Sequence, residues 1–355
     1  MTALDLPGIL TARQVRATVE HIAGLQLRDG LIPWHEGHHA DPWDHVEAAM
    51  ALDVGGLRAE ARRAYRWCAE HQAADGTWPM ETVGTTVRDA GADTNQCAYV
   101  AVGVWHHWLL TRRRELVDEM WPVVQRAVDF AVSLQQPGGT IAWSRDASGA
   151  VSDDALLTGN ACLVLALRCG LALADVVGDP QPDWELAVAR LAHAVAVHPG
   201  RCADRSTFSM DWYYPVLGGA VRGAAGRRWI DARWDAFVVP GRGARCVSDR
   251  PWVTAAETAE LVLSLDALGD RDRAVGLLRD VQFLRAGSGG YWTGWVWPED
   301  TFWPAEQSSW TGAAIVLAAD ALAVHSPASG LFRGDGLPPL LDEVGCDDCL
   351  MRVDR

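Results

Sequence analysis

Acidic residues recur along this sequence beside indole and phenol rings, and their spacing suits acid/base chemistry. Asp44 and Glu47 stand three apart, as do Glu257 and Glu260, so each pair shares one face of a helix. Asp153 and Asp154 are adjacent. A carboxyl held against a second carboxyl, or in an apolar wall, keeps its proton into the neutral range and can act as a general acid. On these grounds Asp44, Asp153, Asp154, Glu257 and Glu306 are the candidate catalytic residues. Asp93, Asn95, Gln96, Asn160, Asp211 and Gln307 are candidates for holding substrate hydroxyls. Trp43, Tyr213, Tyr214, Trp252, Trp297, Trp303 and Trp310 are candidates for an aromatic substrate wall. Asp and Glu are also ordinary residues at helix starts. That role accounts for any one of these acids but not for a set interleaved with rings.

The elements that must position them repeat. Six segments open with a polar or acidic cluster and continue as apolar helix: DPWDHVEAAMAL, DTNQCAYVAVGVW, SDDALLTGNACLVLAL, DWYYPVLGGAV, WVTAAETAELVLSL and WPAEQSSWTGAAIVLAADAL. Their lead acids, Asp44, Asp93, Asp154, Asp211, Glu257 and Glu306, lie 46 to 61 residues apart, which is one helix pair plus turns. Amphipathic segments near 9–27, 57–74, 114–136, 182–199 and 271–286, with a weaker one near 226–236, supply the outer partners. The expected fold is all-α: a closed (α/α)6 toroid over residues 1–325, with a loop-rich tail, 326–355, packing on it. All six inner helices then start at one mouth, and the side chains converge on one pocket. No two-residue alternation appears, so strands are expected only as short pieces in loops.

Composition narrows the function. The formal charge is -15 and every basic residue is Arg, which argues against nucleic acid as a partner. Eighteen Trp exceed what a core needs and fit broad aromatic walls for a small-molecule substrate. The N-terminal stretch has no signal-peptide pattern, and no uninterrupted apolar run of roughly 18 residues stands out as a transmembrane segment. With eight scattered Cys read as reduced thiols, the expected location is cytoplasmic. HEGHHADPWDHVE has no firm metal-ligand spacing, and Cys346-x-x-Cys349 is a lone pair, so no metal site is assigned. Nucleotide-binding glycine loops and the serine-hydrolase elbow are absent.

A turn motif carries a resemblance. Gln72-Ala-Ala-Asp-Gly76-Thr-Trp78 fits the Gln-xxx-Gly-x-Trp repeat of squalene–hopene and oxidosqualene cyclases, and the turns at Gln26, Gln135 and Gln282 are looser copies. The chain thus resembles the squalene-cyclase/prenyltransferase toroid superfamily, in its actinobacterial prenyltransferase-like branch, over roughly residues 10 to 325. Val151-Ser-Asp153-Asp154-Ala155 resembles the cyclases' Asp-x-Asp-Asp site, with Asp153 at the acid's place and Val151 at the first Asp. The resemblance implies an isoprenoid substrate and acid-initiated carbocation chemistry, with rings stabilising the cations. It implies no cofactor, save Mg2+ if the substrate is a diphosphate. The residues themselves leave a second class open, a glycoside hydrolase or sugar epimerase with paired carboxylates in a Trp-lined cleft. A non-catalytic binding toroid is the third. The repeat resemblance favours the isoprenoid enzyme.

Overall fold

The computed structural model describes residues 3–297, 299–341 and 346. In chain order its helices are α1 (Ala12–Leu25), α2 (Pro42–Val54), α3 (Arg58–His71), α4 (Thr94–Ala98), α5 (Val100–Thr111), α6 (Arg114–Ser133) and α7 (Leu157–Val177). There follow α8 (Pro182–Val197), α9 (Ser209–Leu217), α10 (Gly223–Asp231), α11 (Trp234–Phe237), α12 (Ala255–Ala267), α13 (Arg271–Asp280) and α14 (Ser309–Ala323).

Hydrophobic pattern sorts them. The apolar segments become α2, the broken α4–α5 unit, α7, α9, α12 and α14, buried nearly all round. α1, α3, α6, α8, α10 and α13 bury one stripe and keep the rest in water. The inner helices pack in chain order, α2 on α5, α5 on α7, α7 on α9, α9 on α12 and α12 on α14; α14 then packs on α2. α7 is long and apolar enough to cross a membrane by length and composition, but 78% of its apolar window is buried inside the fold. Arg168 interrupts the run, and its guanidinium donates to the carbonyl of Pro338 at 3.1 Å.

The repeated turns tie the outer layer. Gln26 Nε2 donates to Gly30 O in its own turn and to Glu60 O on α3, both at 3.0 Å. Gln72 does the same for Gly76 O and for Val123 O on α6, at 3.0 and 2.9 Å. Gln135 binds Gly139 O and Ala187 O on α8, both at 2.9 Å. In each turn the glycine has φ between +90° and +106°. A Cβ there would strike a backbone carbonyl of the next outer helix, that of Arg63, Arg126 or Arg190, so both conformation and space demand glycine. The fourth turn reaches α1: Gly289 abuts the Ala17 carbonyl, and Thr18 Oγ1 donates to Gly289 O at 2.8 Å. Its Gln282 instead binds Leu278 O and the Tyr291 hydroxyl.

The chain is not all-α. Among the described residues three small antiparallel sheets sit in the loops: β1 (Glu81–Val83) with β2 (Thr86–Asp89), β3 (Ala92–Asp93) with β4 (Ser144–Arg145), and a five-stranded sheet. The last orders β5 (Val238–Val239), β6 (Gly243–Arg245), β7 (Trp252–Thr254), β8 (Gly294–Val296) and β9 (Thr301–Phe302) as consecutive neighbours. Strands of two to four residues are too short for alternation to register in sequence.

Beyond α14, Leu331 and Phe332 are buried. Arg222 Nη2 donates to Phe332 O at 2.7 Å, and Arg333 pairs with Asp266 at 2.6 Å. Much of the expected tail, Cys349 included, lies outside the described residues.

Candidate active site

The site is built from the first turns of inner helices. Asp41 caps α2, its Oδ1 accepting from the N–H groups of Trp43 (2.8 Å) and Asp44 (2.9 Å), with Pro42 preset for the first helical position. That cap sets Asp44 beside Asp41 in a buried position. The Asp44 carboxyl is held well above the ordinary carboxylate range, by burial first, then by repulsion from and a hydrogen bond to Asp41. Glu47 and Glu260 push it further.

A chain of ring contacts adjoins this pair through Trp43 on the same turn and through His39, whose ring lies close to both carboxyls. Trp34 lies 5.7 Å from Trp310, Trp310 packs edge-on to Trp43 at 5.9 Å, and Trp43 meets Tyr99 at 4.8 Å. His39 stacks on Trp34 at 5.8 Å. Glu306 fixes the wall: Oε1 accepts from Trp34 Nε1 at 2.7 Å, and Oε2 faces His35 Nε2 at 3.4 Å. Expected as a catalytic group, Glu306 is occupied with this positioning.

α12 flanks α14 on the side opposite α2. Its Glu257 occupies the first turn and is buried beside Cys246, with Tyr213 and Glu260 near it. One turn deeper, Glu260 accepts hydrogen bonds from the hydroxyls of both Tyr213 and Tyr214, the latter at 2.7 Å. Burial raises Glu260 to about 8. Glu47 accepts from Tyr99 at 3.2 Å, and burial with the nearby Glu260 raises it as well. These deeper acids line a void with Cys162 and Phe332 of about 10 Å³, room for about one water molecule. Tyr213 and Tyr214, expected in the substrate wall, are fully buried with their hydroxyls on Glu260.

Around the rim, Asp93 caps α4 by accepting from Gln96 N at 3.0 Å, and burial pushes its carboxyl up to about 6. Asn95 Oδ1 and Gln96 Oε1 are buried acceptors with no partner among the described residues. Asp211 Oδ1 accepts from both N (3.1 Å) and Oγ1 (2.5 Å) of Thr158 at the head of α7. Beside it opens a groove of about 540 Å³ lined by Arg205, Trp212, Trp229 and Arg233.

Other candidates lie elsewhere. Asp153 and Asp154 are exposed in the loop ahead of α7, which begins only at Leu157, so neither sits in an apolar wall. Asn160 is consumed by backbone, its Oδ1 accepting from Ile141 N (2.8 Å) and its Nδ2 donating to Ile141 O and Leu156 O. Gln307 Oε1 accepts from Ser288. Trp252 and Trp303 pack edge-on at 4.9 Å and Trp297 stacks on Trp295; Trp303 is 55% exposed. Asp41, Trp34, His39 and Tyr99 were not singled out as site residues. Asp41-Pro42 was readable as a cap, whereas Trp34 and His39 come from a loop with no periodic signal. His39, Asp41 and Asp44 also present ligand atoms all within 4.8 Å of one another, a group able to hold a hard cation.

No protein-family model matches the chain. Among solved structures, a glycosidase in complex with glucose superposes with TM-score 0.65 at 16% identity, over 92% of this chain and 97% of that one. A rhamnosidase from Klebsiella oxytoca with rhamnose bound does so with TM-score 0.61 at 16% identity, over 88% of this chain and 64% of that one. The architecture is thus one shared with glycosidases. In sequence, the MMP endo-(1,4)-3-O-methyl-alpha-D-mannosidase of Mycolicibacterium hassiacum is 54% identical over 344 residues, 97% of this chain and 95% of that protein. The chain belongs to the family of that mannosidase. This overturns the resemblance to squalene cyclases and prenyltransferases, and with it the isoprenoid substrate and the terpenoid-transforming enzyme. The carbohydrate alternative is the one supported.

Proposed function

We propose that this protein hydrolyses α-(1,4) links between 3-O-methyl-D-mannose units inside a chain. Its relationship to the mannosidase supplies the substrate class. The observation that carries the chemistry is Asp44, a buried carboxyl that burial and Asp41 push well above the ordinary carboxylate range, next in the chain to Trp43. In this reading Asp44 gives its proton to the glycosidic oxygen as the bond from C1 to that oxygen breaks. Glu257 takes a proton from the water that adds to C1, so one bond to oxygen replaces another and the products are two shorter chains. A methyl group on O3 removes a donor and adds apolar surface, which suits Trp34, Trp310 and Trp43. Asn95 Oδ1 and Gln96 Oε1 would accept from the remaining hydroxyls, ending their burial without partners. The groove beside Asp211 gives room for further units, as internal cleavage of a polymer requires.

The helix neighbours fit a closed (α/α)6 toroid over residues 1–325, with α14 on α2 inside and the Gly289 turn on α1 outside. The buried thiols of Cys68, Cys97, Cys162 and Cys169 fit a reducing, cytoplasmic location. Hydrolysis of an α-(1,4)-linked 3-O-methyl-mannose oligosaccharide by Asp44→Asn and Glu257→Gln tests the assignment. Each should lower kcat by roughly 10²–10⁴-fold with an unchanged circular-dichroism spectrum. Wild-type turnover in either variant would remove that residue from the mechanism.

A further inference from the structure

α8 ends at Val197 with His198 as its cap, and its last turns carry His193 on the same side. The two rings stand 5.3 Å apart. The C-terminal segment returns here: Pro338, Pro339 and Leu341 share a surface cleft with Gln181, Glu185 and Val188 of the α8 region. Five residues further on, Cys346 Sγ lies 3.3 Å from His198 Nε2. The ligand atoms of His193, His198 and Cys346 are all within 4.8 Å of one another, and all three residues are half-buried. In tetrahedral zinc, with bonds of about 2.0–2.1 Å to nitrogen and about 2.3 Å to sulfur, neighbouring ligand atoms are ~3.3–3.8 Å apart. The His198–Cys346 pair already has that separation, and small side-chain rotations bring His193 in.

We propose that His193, His198 and Cys346 bind one Zn2+ that fastens the C-terminal segment to the end of α8, imidazole nitrogen and thiolate sulfur being the donors that zinc favours. The fastening point leads directly into Pro199–Ser206, the loop that lines the groove beside Asp211.

The test is metal content of the purified full-length chain after saturation with zinc and removal of excess. About one zinc per chain is expected, with a fall in Tm when a chelator removes it. Cys346→Ser and His198→Ala should each lower retained zinc at least tenfold. Asp44→Asn should retain it, which separates this site from His39, Asp41 and Asp44. Replacing zinc by Co2+ in the wild-type chain should give a thiolate-to-metal charge-transfer band, a readout that needs no variant to fold. Zinc below about one-tenth per chain, or a cobalt spectrum without that band, would overturn the proposal.

Discussion

At the scale of single residues, the contrast between Asp44 and Asp153–Asp154 is one of surroundings rather than residue type. Asp44 is buried beside Asp41, with Glu47 and Glu260 also acting on it, while Asp153 and Asp154 face water. Asp153→Asn and Asp154→Asn should therefore leave hydrolysis of the methylmannose oligosaccharide within about twofold of wild type, measured as initial rates. Glu260 carries a prediction of its own. Its folded value of about 8 lies above the ordinary carboxylate value, so the folded state binds the extra proton. Its favourable contribution is complete at low pH and is lost as pH rises through about 8. His45, held down to about 4 by burial, acts the opposite way but only below its ordinary value near 6.5. Between pH 6.5 and 8 the wild-type Tm should thus decline, and Glu260→Gln should flatten that decline; parallel curves for the two proteins would contradict the assignment. The acid pairs could be read from spacing, because three-residue separation fixes a shared helix face. Which member of each pair the proposed mechanism uses could not, because that follows from position along α2 and α12, where Glu47 and Glu260 come one turn after Asp44 and Glu257.

Among the elements, the Gln–Gly turns explain how a fold signal misled about chemistry. Gln72 spans its own turn and the backbone of α6, and Gly76 must lie flat on the Arg126 carbonyl. Any toroid that laces its outer helices this way needs the same two residue types, whatever its pocket does. Gln72→Ala should cost about 2 kcal/mol in urea denaturation, through two unsatisfied carbonyls, and leave kcat of the folded fraction unchanged. Gly76→Ala should cost more, because strain at φ +90° adds to the clash. The inner helices were legible because burial all round leaves apolar runs headed by polar caps. The five-stranded sheet was not, since its two- and three-residue strands follow from loops meeting late in the chain. The same loops hold Trp252 and Trp297 half-buried and Trp303 exposed, packed on one another and on Trp295.

For the whole molecule, the account joins an architecture shared with glycosidases to a mouth whose acids and rings suit a methylated sugar chain. Composition foretold a small-molecule site and a wall of Trp, but a wall of indoles stacks equally well on sugars and isoprenoids. The 54% identity to a mannosidase decides between them, and the Asp41–Asp44 pair gives the decision a mechanism. An endo-acting enzyme should also release intermediate-length products early rather than monomer alone. The most direct measurement is mass spectrometry of a homogeneous α-(1,4)-linked 3-O-methyl-D-mannose oligosaccharide incubated with the purified protein, alongside its unmethylated counterpart. The account predicts shorter methylated oligomers with wild type, a slower reaction on the unmethylated chain, and none with Asp44→Asn. An intact methylated oligosaccharide after prolonged incubation with wild type, or equal cleavage by Asp44→Asn, would contradict it.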